Sequence, residues 1–395
     1  MMKVARRIAS LRPYYFAQVG AKIRGLEAQG LRVLRMDMGA PDGPPPPFVV
    51  ETLCRRAQDP YVHAYSPYGG LPAYREAWAR YYKARFGVSL DPMTEVLGLI
   101  GSKEGIFHLV QALVDPGDVV LVPDPGYLTY QGAARVAGAQ LVYLPLKEER
   151  GFFPDLDAVP EEVARRARIL WLNYPNNPTG AMVTLEELAR AVDFARRYNI
   201  LVAHDAPYVD VVLEPGVRPP SILQVPGSKE VAVEFNSLSK RANMAGWRLG
   251  AVVGNPEVLE ALHRYKSQVD SSHFRPMMEA GAVALTDARM DAWMEERNAV
   301  YRQRRDIILA HMGDLGLTAT TPVAGMYIWA RLPEGWDSMT YTQRLLEEAG
   351  VSVTPGVVFG PHGEGYVRIS LGTATEVIEE AMERMLRWWR RMNGR

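Results

Sequence analysis

Seven short apolar runs, separated by stretches whose apolar residues recur every three or four positions, dominate the middle of the chain. The runs are Val96–Ile100, Val119–Val122, Gln140–Leu144, Ile169–Asn173, Ile200–His204, Val231–Phe235 and Leu249–Val253. Several are apolar at consecutive positions, the pattern of strands covered on both faces. Ile106, Leu109, Val110 and Leu113 form one helical stripe, and Leu185, Leu188, Val192 and Ala195 another. Thr184 and Glu187 stand three apart at the start of the second, the spacing of a capping box. This alternation predicts an α/β fold, with a large domain holding a mainly parallel seven-stranded sheet sandwiched by helices.

The two ends carry a different pattern. The first 39 residues predict a helix and a short strand at Val33–Met38. The run Gly43-Pro44-Pro45-Pro46-Pro47 can continue neither element and reads as a connector. From about residue 285 a long helical stretch is expected to about Met312, then strands at Gly325–Arg331, Val351–Val353 and Tyr366–Leu371. The last helix is expected to start near Thr373, with Glu376 completing a second capping box. A smaller α+β domain made from both termini follows, with residues 45–285 as the large domain and 1–44 and 286–395 as the small one.

Composition narrows the function. Forty-five basic and 45 acidic side chains balance, which argues against nucleic acid or an anionic membrane as partner. Cys54 is the only cysteine, so an intrachain disulfide is excluded and no metal site is expected. The N-terminus lacks the apolar stretch of a signal peptide, and no apolar run approaches the ~20 residues of a membrane span. A cytoplasmic location is expected.

Six polar segments sit beside predicted element ends, where ligands of open α/β sheets bind. Gly101-Ser102-Lys103-Glu104-Gly105 offers backbone N–H groups at a helix N-terminus, suited to phosphate, although many strand-to-helix turns look alike. Tyr127 follows a strand and either stacks on a planar ring or caps the core. Asn173-Tyr174-Pro175-Asn176-Asn177-Pro178-Thr179-Gly180 is a rigid polar turn, either ordinary turn chemistry or the source of an amide donor. Asp205 ends an apolar strand, where a carboxylate needs a partner; a protonated ring nitrogen or local backbone N–H groups would serve. Tyr208 follows it.

Lys240 lies in Ser237-Leu238-Ser239-Lys240-Arg241, with Arg248 eight positions on; it is one of only eight lysines. A lysine so placed can form a Schiff base with an aldehyde cofactor, or be a surface lysine. Arg368, inside a late strand, needs either a structural carboxylate or that of a substrate.

Taken in order, these segments resemble the fold-type I pyridoxal phosphate enzymes, class I/II aminotransferases, across essentially the whole chain. Asn-Asn-Pro-Thr-Gly at 176–180 and Ser-Leu-Ser-Lys at 237–240 with Gly-Trp-Arg-Leu-Gly at 246–250 carry the likeness. Within that family the chain is similar to LL-diaminopimelate aminotransferase-like enzymes, through Gly101–Ile106 and Asn243–Arg248.

The resemblance implies a pyridoxal 5'-phosphate enzyme that moves an amino group between an α-amino acid and a 2-oxo acid, with Lys240 as Schiff-base residue and proton shuttle. It implies Asp205 at the ring nitrogen, Tyr208 and Asn177 at the ring oxygen, and Tyr127 as ring stacker. Ser102 and Lys103 (through backbone N–H), Ser237 and Arg248 would hold the phosphate. Arg368, helped by Asn177 and by the N–H of Gly39, would hold the substrate carboxylate. Tyr65 would serve the neighbouring subunit's phosphate, which implies a homodimer with shared active sites.

Arg241-Ala242, Ser271–Pro276 and Pro207 depart from the diaminopimelate pattern. Arg241 or Arg275 is therefore a candidate to face the substrate side chain and favour an acidic or polar one. The alternatives are a β-elimination C–S lyase or a decarboxylase on the same cofactor, a nicotinamide oxidoreductase, and a non-catalytic ligand-sensing module. The absence of GxGxxG disfavours the oxidoreductase.

Overall fold

All seven expected runs enter one sheet. The computed structural model describes residues 3–9, 11, 13–392 and 394. Residues 1, 2, 10, 12, 393 and 395, which the expected terminal domain includes, lie outside the described residues. Numbered in chain order, the strands are β1 (Leu34–Arg35), β2 (Val96–Leu99), β3 (Val119–Asp124), β4 (Gln140–Pro145), β5 (Ala167–Asn173), β6 (Leu201–Asp205), β7 (Ala232–Ser237) and β8 (Gly250–Gly254). They continue with β9 (Thr318–Ala319), β10 (Tyr327–Arg331), β11 (Val351–Ser352), β12 (Thr354–Pro355) and β13 (Tyr366–Ser370).

The large sheet has the order β2-β8-β7-β6-β5-β3-β4, with only β8 antiparallel to its neighbours. Alternation along each strand explains why the runs are apolar at successive positions. Leu170 and Leu172 of β5 face one core with Val119 and Leu121 of β3 and Val202 of β6. Ile169 and Trp171 face the other with Val120, Val122 and Ala203. Both faces are covered by helices, among them Ser102–Leu113 on one side and Pro72–Phe86 on the other. The predicted Thr184–Glu187 capping box is present at the start of helix Leu185–Tyr198.

The terminal elements form a second, four-stranded sheet, β12-β13-β10-β9, and the two-stranded pair β1-β11. Their own core gathers Leu34, Tyr327, Ile328, Val351, Ile369, Met382 and Trp388. Three details differ from expectation. The strand expected at Val33–Met38 is two residues long, because only Leu34 and Arg35 find partners, Val351 and Ser352. The proline run ends in a helix, Pro47–Ala57, with Pro47 in its first turn, where no N–H is needed. The last helix spans Thr375–Met392 and its first N–H bonds run to Ala374, while the Thr373 hydroxyl donates to Arg35 O, so Thr373 does not cap it.

Trp171 is fully buried and stacks on Tyr130 at 4.7 Å between ring centroids. Trp171→Ala is expected to lower unfolding free energy by roughly 3–5 kcal/mol through lost burial and the cavity left behind. Urea denaturation checks this.

Candidate active site

The parallel strands deliver their carboxyl ends to one edge of the sheet, and the polar loops follow from that. Asn173 and Asp205 are paired in register on β5 and β6, and Asp205 is paired with Phe235 on β7. Ser237 ends β7 opposite Gly250, which also pairs with Leu99 at the end of β2. Because β8 runs the other way, its start lies at the same edge, bringing Arg248 beside Ser102. A cavity of about 470 Å³ opens there. Gly39, Ser102, Lys103, Tyr127, Asn177, Asp205, Tyr208, Ser237, Lys240, Arg248 and Arg368 all line it. Tyr65 does not: its ring is 90% exposed, beside exposed Tyr61 and Tyr68.

Lys240 Nζ donates to Gly39 O and lies 5.8 Å from the Tyr208 ring centroid. Burial pushes its ammonium down to about 7, with Arg368 and then Arg248 adding like charge. Asp205 is buried at the cavity floor. Its Oδ2 accepts from Tyr130 OH at 2.7 Å, while Oδ1 has no partner. Burial pushes the carboxyl up to about 6, against the opposing effects of the Tyr130 hydrogen bond and of His204. Asn173 fixes this corner: its Nδ2 donates to Asp205 O at 2.7 Å and its Oδ1 accepts from Asn177 N–H at 2.8 Å.

Arg368 is buried, yet its hydrogen bonds go to neutral groups. Nη1 donates to Asn177 Oδ1 at 2.8 Å and Nη2 to Asp37 O at 2.8 Å, while Nε is buried without a partner. The guanidinium lies 4.3 Å from the Tyr327 ring centroid and 4.8 Å from that of Phe359. Since guanidinium only donates, it orients the Asn177 amide oxygen toward itself and the NH₂ away. Tyr208 OH and Tyr327 OH share a 2.8 Å hydrogen bond. Burial, and then Tyr327, hold the Tyr208 phenol well above its ordinary range.

At the other end, Ser237 Oγ bonds Ser239 Oγ at 2.9 Å, and helix Ser102–Leu113 begins at Gly101 with φ +72°. A Cβ at Gly101 would come within 2.3 Å of Arg248 Nη2, so glycine is required there. Arg248 itself has φ +57°. The loop Ser271–Pro276 holds it in place, with His273 Nε2 donating to Arg248 O at 2.6 Å. Asp270 anchors that loop by accepting from Ser272 N–H and from the buried Lys266 ammonium, both at 2.8 Å.

Arg241 is not at the cavity. Its Nη1 is paired with buried Asp210 at 2.7 Å and its Nε donates to Ala284 O, so the arginine next to Lys240 is a core cation. Arg275 opens helix Arg275–Thr286 and does not line the cavity either. The expectation that one of them faces the substrate side chain is corrected on both counts. Lys103 lines the cavity along with Lys240, Arg248 and Arg368: its ammonium lies 4.3 Å from the Tyr14 ring centroid, and burial, then Arg248, lower its pKa.

Motif reading missed Tyr14, Phe16, Tyr130, Tyr327 and the Asp37 carbonyl. None stands in a motif that marks it, although the expected strands at Val33–Met38 and Gly325–Arg331 hold Asp37 and Tyr327.

The donor set fits pyridoxal phosphate. The orphaned Asp205 Oδ1 lacks only an N–H donor. Arg248, Ser237, Ser239 and the N-terminal N–H groups of helix Ser102–Leu113 surround a space free of side chain at Gly101.

Comparison with known proteins agrees in kind. Residues 32–385 match the family model for aminotransferase class I and II. The LL-diaminopimelate aminotransferase of Desulforudis audaxviator is 48% identical over 381 residues, covering 96% of each chain. That of Dehalococcoides mccartyi is 44% identical over 384 residues, covering 97% of this chain and 98% of the other. The substrate-bound structure of BacF from Bacillus subtilis superposes with a TM-score of 0.94 at 35% identity, covering 98% of both chains.

Among the described residues, Tyr130 supplies the one hydrogen bond to the Asp205 carboxylate. Tyr130→Phe is expected to raise the Asp205 pKa above about 6, because a donor to the charged form is lost. Carboxyl-carbon NMR of the cofactor-free protein, with Asp205→Asn to assign the signal, checks the direction.

Proposed function

The chain belongs to the class I and II aminotransferases and is a pyridoxal phosphate-dependent enzyme; on that premise we propose that Lys240 is the amine that holds the cofactor and moves the substrate proton. The observation that carries this reading is a lysine Nζ inside the cavity, depressed to about 7 by burial and two arginines. About half of such an amine is unprotonated at neutral pH, where an ordinary lysine is almost wholly charged, and the free form is the one that acts as nucleophile and base.

The remaining residues take roles that their surroundings favour. Asp205 Oδ1 would accept the N–H of the cofactor ring, with Tyr130 holding the carboxylate and Tyr127 against the ring. Tyr208 and the Asn177 NH₂ would donate to the ring oxygen. Ser237, Arg248 and the backbone N–H groups of Ser102 and Lys103 would hold the phosphate. Pyridoxal phosphate, when bound, supplies an aldehyde carbon that takes up the amino group and a ring that accepts the electron pair left by loss of the α-proton. Arg368, a buried fork among neutral partners, binds the substrate α-carboxylate and orients the α-hydrogen toward Lys240, with the Gly39 N–H assisting. Lys240 Nζ then takes the α-proton. Burial keeps the Tyr208 phenol protonated as a donor, and the aromatic wall of Tyr14, Phe16 and Tyr327 limits water.

We read the preferred amino donor as LL-diaminopimelate. Two relatives of that name match over nearly the whole chain, and the Lys103 ammonium in the cavity lining adds a cation suited to the second carboxylate of that substrate. Exposed Tyr65 is read as serving the site of a second copy, which makes the working unit a homodimer. Residues 45–285 are read as the large domain and 1–44 with 286–395 as the small one. No described helix is long and apolar enough to cross a membrane, which accords with a cytoplasmic enzyme.

Single-turnover assays of the cofactor-loaded enzyme with a panel of amino acids, without added acceptor, test the reading. About one equivalent of 2-oxo acid per site is expected, with kcat/KM for LL-diaminopimelate at least about tenfold above aspartate and aromatic donors, a difference of ~1.4 kcal/mol. Lys240→Ala is expected to lose roughly 10²–10⁴-fold in rate. Equal rates for all donors would remove the substrate assignment; an undiminished Lys240→Ala would remove the role of the lysine.

A further inference from the structure

The turn that carries Lys240 cannot satisfy its own end. Leu238–Arg241 is one helical turn; Ala242 N–H returns to Leu238 O, and nothing within the turn reaches the carbonyls of Lys240 and Arg241. Both are met from helix Arg289–Ala310. Arg297 Nη1 donates to Lys240 O at 2.5 Å and to Arg241 O at 2.6 Å. Nη2 donates to Asp210 O at 2.7 Å and to Asn298 Oδ1 at 2.7 Å, and Nε donates to Asn298 Oδ1 at 3.2 Å.

This guanidinium is buried and flanked by the rings of Trp293 and Tyr301, 5.5 and 5.8 Å away. Its acceptors are neutral oxygens. Asp210 gives it a main-chain carbonyl, while the Asp210 carboxylate accepts from Tyr81, Arg85 and Arg241. A cation taken out of water without a carboxylate is costly, so the fold keeps it for what its fork does. It grips two successive carbonyls, and the peptide between them begins at the reactive lysine. Rotation of that peptide would swing the lysine stem. Lysine could not replace the fork, because three main-chain oxygens and an amide must be reached from fixed directions.

We propose that Arg297 is a positioning residue that caps the Lys240 turn and holds Nζ at its buried place beside Gly39 O. The inference rests on the reading of Lys240 as the reactive amine. The groups facing Nζ are Arg368 from β13, Arg248 from the segment before β8, the Tyr208 ring and Gly39 O. Loosening the turn lets Nζ leave that shell for water, so the lysine becomes easier to protonate.

The test uses Arg297→Lys and Arg297→Met, with Arg302→Gln as a control on the same helix and Lys240→Ala as a reference. Two quantities are read. One is kcat and KM of the cofactor-loaded enzyme. The other is the Lys240 pKa in cofactor-free protein, from ¹³C NMR after reductive methylation, with the signal assigned by its loss in Lys240→Ala. In both Arg297 variants kcat should fall roughly ten- to a hundredfold with KM within about twofold, and the Lys240 pKa should rise by about one unit. Arg302→Gln should change neither. Arg297→Lys, which keeps the charge, carries the test where Arg297→Met does not fold. A Lys240 pKa and kcat unchanged in Arg297→Lys would overturn the proposal. A cofactor absorbance that persists unaltered in Lys240→Ala would instead overturn the reading beneath it.

Discussion

Four cations (Lys103, Lys240, Arg248 and Arg368) line one cavity, and Asp205 is the only carboxylate among the described residues that lines it with them. No described carboxylate forms an ion pair with any of the four. Arg368 bonds to carbonyl, amide and hydroxyl oxygens, and Lys240 to a carbonyl. Burial depresses the lysine first, and the positive charges of Arg368 and then Arg248 lower it further. The imbalance of charge also suits the cavity to anions. In the proposed assignment a phosphate at the Arg248 end and a carboxylate at the Arg368 end would supply the missing negative charge, so that cofactor and substrate would complete the electrostatics of the fold.

The sheet makes this arrangement possible. Parallel strands place Asn173, Asp205 and Ser237 at one edge, and the reversed β8 brings Arg248 and Gly250 to the same edge. The second sheet contributes Arg368 from β13 and Tyr327 from β10, which are two strands paired in register. Within the terminal portion, Arg304 ties the N-terminal segment to the residue after β13 by a two-pronged contact with Asp42, 2.8 Å on each side, and by a bond to Leu371 O. The cavity thus has one wall from each sheet. Arg248 and Arg368 stand on different walls, so in the proposed assignment cofactor and substrate together would bridge them.

Much of the site was legible because its chemistry lies in short segments that follow strands. The polar turn at 173–180, the Asp205–Tyr208 pair and the Ser237–Arg248 loop each announce themselves locally, and the strands before them are marked by their apolar runs. What escaped the sequence lies in pairings across long separations. Tyr130 meets Asp205 from 75 residues away, and Arg297 meets Lys240 from 57. Arg241 looked like a substrate contact because it stands next to Lys240. On a single helical turn, however, adjacent side chains point about 100° apart, and Arg241 turns into the core toward Asp210. The short β1 had the same origin: the apolar run was real, but its partner strand supplies only two residues.

Burial and like charge leave about half of Lys240 as free amine at neutral pH, and the proposed chemistry depends on that fraction. The direct measurement is the rate of recombination of cofactor-free protein with pyridoxal phosphate as a function of pH. The account predicts a rate that rises with pH and levels off above an apparent pKa of about 7. A rate that continues to climb about tenfold per pH unit toward the ordinary lysine range, ~10.4, would contradict it.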